Sequence, residues 1–157
     1  MPANINTVCD YIILRCANAG VVLNVLKLQK LLYYTQAWHL AFGKGRLFNG
    51  KFQAWVHGPV NRPIYDRFAG SKSLFSEVTA VDVHDAKSAE HLTQAQKHHI
   101  NSVLDEYGKF SGSQLELMTH RESPWIEARE GLGELDRCEG EIDEDSMKVF
   151  YGRRLKK

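Results

Sequence analysis

The chain has 157 residues, 43% of them apolar and 25% charged, with a formal net charge of +1. That is long enough for one domain hiding about 70% of its unfolded surface, and the near-neutral charge gives no general case for nucleic acid or membrane as a partner. No stretch approaches the run of about 18 apolar residues that a membrane span needs.

Charge is unevenly spread. Through Phe75 there are nine Lys/Arg and two acids (Asp10 and Asp66), leaving +7, while the remainder carries −6. Such asymmetry orients a partner or draws the two parts of one fold together, and the second reading is preferred. Cys9, Cys16 and Cys138 form no close metal-binding pair, and on one helix Cys9 and Cys16 stand about 10 Å apart, too far for a disulfide. Free buried thiols fit a reducing compartment. The opening MPANINTVCDYIILRC lacks the basic start and unbroken apolar run of a secretion signal. The expected location is cytoplasmic.

Ile5, Val8, Cys9, Ile12 and Cys16 recur at helical spacing, so the spacing predicts a helix ending near Gly20. In VLNVLKLQKLLYYTQAWHLAFGKG, Leu28, Leu31, Leu32, Thr35, Trp38, His39 and Phe42 share one face, and Tyr33, Ala37 and Leu40 form a second strip. A helix apolar on two sides is expected at the centre, with Lys27, Lys30 and Gln36 reaching solvent and Gly43 and Gly45 ending it. Alternation around Gly50, from Leu47 to Val56, predicts a short hairpin or β-ribbon. Pro63 to Phe68 reads as a two-turn helix closed by Gly70, with Asn61 or Arg62 at its cap. Val78, Val81 and Val83 make a brief strand or a loop. Capping patterns at Thr93–Gln96 and Ser113–Glu116 open two further helices. Ser123 and Pro124 open another, with Ser123 as the cap. Gly131 to Asp145 reads as an acidic loop, before a last helix with Met147, Val149, Phe150 and Leu155 and the basic end Arg153, Arg154, Lys156 and Lys157. The fold class expected is mainly α, a single compact multi-helix domain with a small β-hairpin or two short strands. Its core runs from about residue 5 to 130, and the acidic loop and basic helix fill 131–157.

Motifs of known chemistry are missing. The chain contains no phosphate loop, no GxSxG elbow and no HExxH, and GKGRLFNG has the wrong spacing and context for a dinucleotide fingerprint. His98 and His99 are adjacent and point apart on a helix, so they read as a surface cluster. No cofactor and no metal ligand is expected. In AWVHGPVNRPIY, Trp55 is expected to be buried with its indole N–H on a nearby carbonyl. Gly58 and Pro59 set the backbone there, and His57 bonds the turn from inside. This stretch turns the chain rather than performing catalysis.

Three segments together resemble one family: LKLQKLLYYTQAWHLAFGKGRLF (Leu26 to Phe48), FQAWVHGPVNRPIYDRF (Phe52 to Phe68) and ELMTHRESPWIEAR (Glu116 to Arg129). The pattern looks like the Panacea antitoxin domain, which includes SocA-like antitoxins and phage-associated GepA-like proteins. The resemblance implies a mainly helical, non-enzymatic domain that neutralises a cognate toxin protein encoded nearby. In SocA-like members it also implies a role as adaptor to an AAA+ protease. The family pattern falls on Lys30, Leu31, Tyr33, Trp38, Trp55, Gly58, Pro59, Val60, Tyr65, Thr119, His120, Pro124 and Trp125. Most of these are apolar or turn residues expected to specify the fold, with His57 adding little. His120 bridges a helix to the core or is exposed, and bridging is preferred.

The primary reading is therefore a binding module, with Tyr34, Arg62, Tyr65, Arg153 and Arg154 as partner-binding candidates. An enzyme would have to bring His57, His120, Glu122 and Asp66 into one cleft. A DNA-binding regulator would rest on the final GRRLKK, which reads better as a solvated tail.

Overall fold

The computed structural model describes residues 1–155, so Lys156 and Lys157 of the basic end lie outside the described residues. Among the described residues the architecture is mainly α: seven α-helices and two antiparallel two-stranded sheets. No helix of these residues is long and apolar enough to cross a membrane.

Helix α1 (Ile5–Asn18) is capped by the Asn4 side chain, which accepts the Asn6 N–H at 2.8 Å. The predicted face of Val8, Cys9, Ile12 and Cys16 is buried. Burial pushes the Cys9 thiol up to about 12, which keeps it protonated and unreactive. Asn24 then caps α2 (Val25–Ala41), accepting the Lys27 N–H at 2.8 Å.

Helix α2 is the axis. It packs against α1, four later helices (α3, α4, α5 and α7) and the hairpin described below. Fourteen of its seventeen residues are buried, so it has no solvent-facing side. Lys27, Lys30 and Gln36, read from the sequence as solvent-facing, are instead buried. Each has found a backbone partner in a neighbouring segment, which is what makes the burial tolerable. Lys27 Nζ donates to the Gly108 carbonyl at 2.7 Å. Lys30 Nζ donates to the Pro59 carbonyl at 3.2 Å. Gln36 donates to the Phe48 carbonyl at 2.7 Å and accepts the Leu47 N–H at 2.8 Å. Gln29 grips Asn61 the same way, through N–H and carbonyl at 2.8 and 3.1 Å.

This grip relocates the predicted β-ribbon. Leu47 and Phe48 are pinned to Gln36, so the hairpin forms further along, as β2 (Gln53–Trp55) and β3 (Gly58–Val60). Its register pairs Gln53 with Val60 and Trp55 with Gly58, so the chain reverses at Val56–His57 rather than at Gly50. Gly58 closes the turn at φ +99°, a left-handed angle that favours glycine. The open edge of β2 is met by the acidic loop, through Ala54 N–H to the Gly140 carbonyl at 2.8 Å and Ile142 N–H to the Phe52 carbonyl at 2.7 Å.

Asn61 caps α3 (Arg62–Ala69) by accepting the Ile64 N–H at 3.0 Å, with Pro63 in the first turn. Of the three valines read as a strand, only Val78 pairs. It lies in β4 (Glu77–Val78), opposite Leu23 of β1 (Leu23–Asn24). Val81 sits exposed on a 3-10 turn. Helix α4 (Gln94–Tyr107) has the predicted Thr93–Gln96 capping box. His99, expected at the surface, is buried on this helix with Nε2 2.8 Å from the Thr35 carbonyl, and burial pushes its pKa down to about 4. Helix α5 (Gly112–His120) begins two residues earlier than the sequence signal, with Ser111 and Gln114 as the capping box. Gly112 fits closely against Asn24 and the Lys27 backbone there.

In α6 (Ser123–Ala128) the cap position belongs to Glu122, not Ser123, and makes no side-chain capping bond. The Glu122 carboxylate is engaged elsewhere. It accepts the Tyr34 hydroxyl at 2.8 Å and the Tyr151 hydroxyl at 2.6 Å, and Arg154 lies 3.4 Å from its other oxygen. Tyr107 stacks on Tyr34 at 4.1 Å and accepts the Trp38 indole N–H at 2.8 Å. This knot fastens α7 (Glu144–Arg154) to α2. Met147 and Tyr151 are the buried side chains of α7, whereas Val149 and Leu155, expected in its apolar face, stay exposed.

The opposed charges of the two parts meet within the fold. Arg46 and Lys51 both pair with Glu144, Arg62 with Glu139 and Lys72 with Asp82.

Two stability measurements test this frame. Truncation by Glu122→Ala strands the buried Tyr34 hydroxyl, leaves that of Tyr151 only its contact with the Tyr33 hydroxyl and is expected to cost about 3 kcal/mol, against about 1 kcal/mol for Tyr151→Phe, read from urea midpoints. Burial depresses Lys30 from 10.5 to about 7. Between these values the unfolded chain holds a proton that the folded chain releases, so stability rises with pH and the penalty is complete below 7. From pH 7 to 9 the wild type should gain about 1.4 kcal/mol per unit relative to Lys30→Met; equal slopes would show an unshifted amine.

Candidate functional site

The sequence residues singled out for the chain's corner converge beneath the hairpin. Gly58 lies so close to α2 and α5 that an added Cβ would stand 2.5 Å from Lys30 Cε and 2.8 Å from Thr119 Oγ1. Glycine therefore serves here for close approach as well as for its backbone angle. Lys30 holds the Pro59 carbonyl from below, and the nearby Glu116 carboxylate partly offsets the cost of burying its amine. Thr119 Oγ1 donates to the Glu116 carbonyl at 2.8 Å. The His120 imidazole stacks on Trp125 at 4.1 Å, and burial lowers its pKa.

Helix α6 holds the hairpin from the other side. Trp125 Nε1 donates to the Trp55 carbonyl at 2.8 Å, and Arg129 Nη1 donates to the Ala54 carbonyl at 2.8 Å. The Arg129 guanidinium also lies 4.9 Å from the Trp125 ring. Pro124 is buried in the first turn of this helix. Lys30, Gly58, Pro59, Thr119, His120, Pro124 and Trp125 are thus in or beside one corner, whereas Trp38 sits at the other end of α2. The sequence reading missed Arg129; its position four residues after Trp125 on a helix was the available signal.

The outward side of this corner is a ledge. Trp55 and Tyr65 are half-buried, with rings 4.8 Å apart, and the Arg62 guanidinium lies 5.7 and 5.8 Å from them. Trp55 is less buried than expected, and its indole N–H donates to the Gln53 side chain at 2.7 Å. His57 does not bond the turn from inside. It is exposed, 3.0 Å from Glu116 Oε1, and borders Phe75, which is 61% exposed. Two clefts share Trp55, His57 and Tyr65 as a common wall. One, about 240 Å³, is closed by Arg62, Arg137, Cys138 and Glu139. The other, about 320 Å³, runs along α3 to Lys72 and Leu74.

Of the five partner-binding candidates, the structure brings together Arg62 and Tyr65. Tyr34 is fully buried in the Glu122 knot and presents no surface. Arg153 is exposed on α7, away from the ledge residues, and Arg154 is committed to Glu122 and to the rings of Phe150 and Tyr151 at 4.8 and 5.6 Å. Phe75 and Arg137 of the ledge were not foreseen, because each lies in a loop without periodicity.

The four side chains required by a catalytic reading are dispersed over different partners. His57 faces Glu116, His120 faces Trp125, Asp66 pairs with Arg62, and Glu122 is enclosed by tyrosines. Among the described residues, no three His, Cys, Asp or Glu side chains are placed to share a metal ion.

Comparison with known proteins places these features. The family model for the antitoxin SocA-like Panacea domain matches residues 28–126, from the first turn of α2 into α6, and so includes the corner up to Trp125, short of Arg129, and most of the ledge. The chain is 32% identical over 136 residues to antitoxin SocA of Caulobacter vibrioides (strain NA1000 / CB15N), covering 80% of this chain and 70% of that relative. No solved structure matches. A helical frame closed over a GPV corner, with a matching model across most of its length, makes this chain a member of the SocA-like Panacea antitoxin family.

Proposed function

We propose that this protein neutralises a toxin encoded beside it by binding the toxin directly, in stoichiometric amounts and without chemistry. The observation that carries this reading is the ledge: a tryptophan, a tyrosine and an arginine in mutual contact on an externally accessible face, with the Trp55 backbone fixed from behind by α6 and Arg62 and Tyr65 set on α3. These are the residue types that supply most of the energy at protein interfaces, and a fixed backbone lowers the ordering cost of association. Membership in an antitoxin family supports the same reading.

A second reading adds delivery of the bound toxin to an AAA+ protease. It requires another surface, and an apolar cleft of about 320 Å³ lined by Trp38, Phe42, His99 and Tyr107 lies at the far end of α2, with Phe42 51% exposed. The basic end favours a nucleic-acid role less, since Arg154 is occupied by Glu122.

Co-expression with the product of the adjacent reading frame is expected to restore growth, and the two proteins should co-elute. Titration of purified toxin should reach full inhibition at equimolar antitoxin. Inhibition by far smaller amounts would indicate turnover, and persistent growth arrest beside abundant soluble antitoxin would sink direct neutralisation. Adaptor activity would appear as a shortened toxin lifetime that Phe42→Ala abolishes while binding persists.

A further inference from the structure

The smaller of the two ledge clefts has a chemistry of its own. Its floor is apolar, formed by Trp55, Val56 and Tyr65, and its rim carries two guanidiniums, Arg62 and Arg137. Both reach for the same oxygen, Glu139 Oε1, at 3.4 and 3.0 Å. One carboxylate thus serves two cations. The additional partner of Arg62 is Asp66, on the next turn of α3, at 3.3 Å.

These pairs are exposed, with Arg137 at 87%, so they are weakly held and exchange partners readily. The aromatic floor is not adaptable in that way, because the Trp55 backbone is bonded to Trp125 and its ring is packed on Tyr65. A fixed apolar floor beside two guanidiniums that share one exposed, exchangeable carboxylate fits an apolar side chain whose neighbour in sequence is acidic.

We propose that this cleft receives an acidic segment of the toxin, an aliphatic or aromatic residue entering between Trp55 and Tyr65 while an adjacent Asp or Glu displaces Glu139 from Arg62 and Arg137. The proposal rests on direct toxin binding and specifies where it occurs and what it recognises. Glu139 is then a competitor for the same two arginines, so removing it and removing them should act in opposite directions. A purely structural role for these exposed residues would not produce opposite signs.

The test measures association of the purified product of the adjacent toxin reading frame with the wild-type protein and three variants by surface plasmon resonance, across a salt series. The double variant Arg62→Glu/Arg137→Glu is expected to weaken binding at least about tenfold, mainly through slower association, and to flatten the salt dependence. Glu139→Gln should tighten binding by about twofold or more, and Arg153→Glu on α7 should leave it unchanged. Melting temperatures near wild type confirm that each variant is folded. Wild-type-like binding by the folded double variant, weaker binding by Glu139→Gln, or a loss confined to Arg153→Glu would each overturn the proposal while leaving direct neutralisation standing. Failure of the wild type itself to bind would overturn both.

Discussion

The arrangement depends on the burial of polar side chains along α2. Lys27, Gln29, Lys30 and Gln36 sit in the interior, and each would destabilise the fold by about 1–3 kcal/mol if left without a partner. Their partners are the backbones of three separate segments: Gly108 after α4, Pro59 and Asn61 at the end of the hairpin, and Phe48. The helix therefore does more than supply apolar surface: it dictates where connecting segments run. The position of the hairpin, the start of α3 and the path from Leu47 to Phe48 follow from this. Asp10 extends the principle to α1, accepting the N–H groups of His84 and Asp85 while paired with buried Arg67.

Two distinct polar clusters flank this axis. In one the Glu122 carboxylate gathers tyrosines from α2 and α7, and in the other, about one turn earlier on α2, Lys30 lies with Thr119 under Gly58. Both contain groups shifted far from their ordinary protonation behaviour, which in an enzyme would draw attention. Here the shifts come chiefly from burial, and the shifted groups serve as contacts between elements. On the outside of the corner, Trp55 and His57 are carried by a hairpin that Trp125 and Arg129 hold by its carbonyls, beside Arg62 and Tyr65 of α3.

Much of the frame was legible in the sequence. Apolar periodicity located α1 and identified α2 as central, Thr93 and Asn61 marked helix starts, and the family resemblance followed from the residues of the corner. What failed shares one cause. Lys30 and Gln36 carry no local mark that a loop carbonyl waits for them, so residue type pointed outward while tertiary pairing drew them in. The same blindness moved the hairpin, because alternation around Gly50 could not reveal that Gln36 had claimed its first two residues. Tyr34 was misplaced for a related reason: on a helix covered all round, no face is left for a tyrosine to meet solvent. Of the ledge, Arg62 and Tyr65 could be read from the corner's composition, whereas Arg137 joins them only through a long loop folding back.

Trp125 and Arg129 grasp the hairpin by peptide oxygens, which every amino acid possesses. The identity of the outward side chains is thereby largely uncoupled from the hold on the strand that bears them. Changes to those outward side chains therefore leave the grip of the interior on the strand in place.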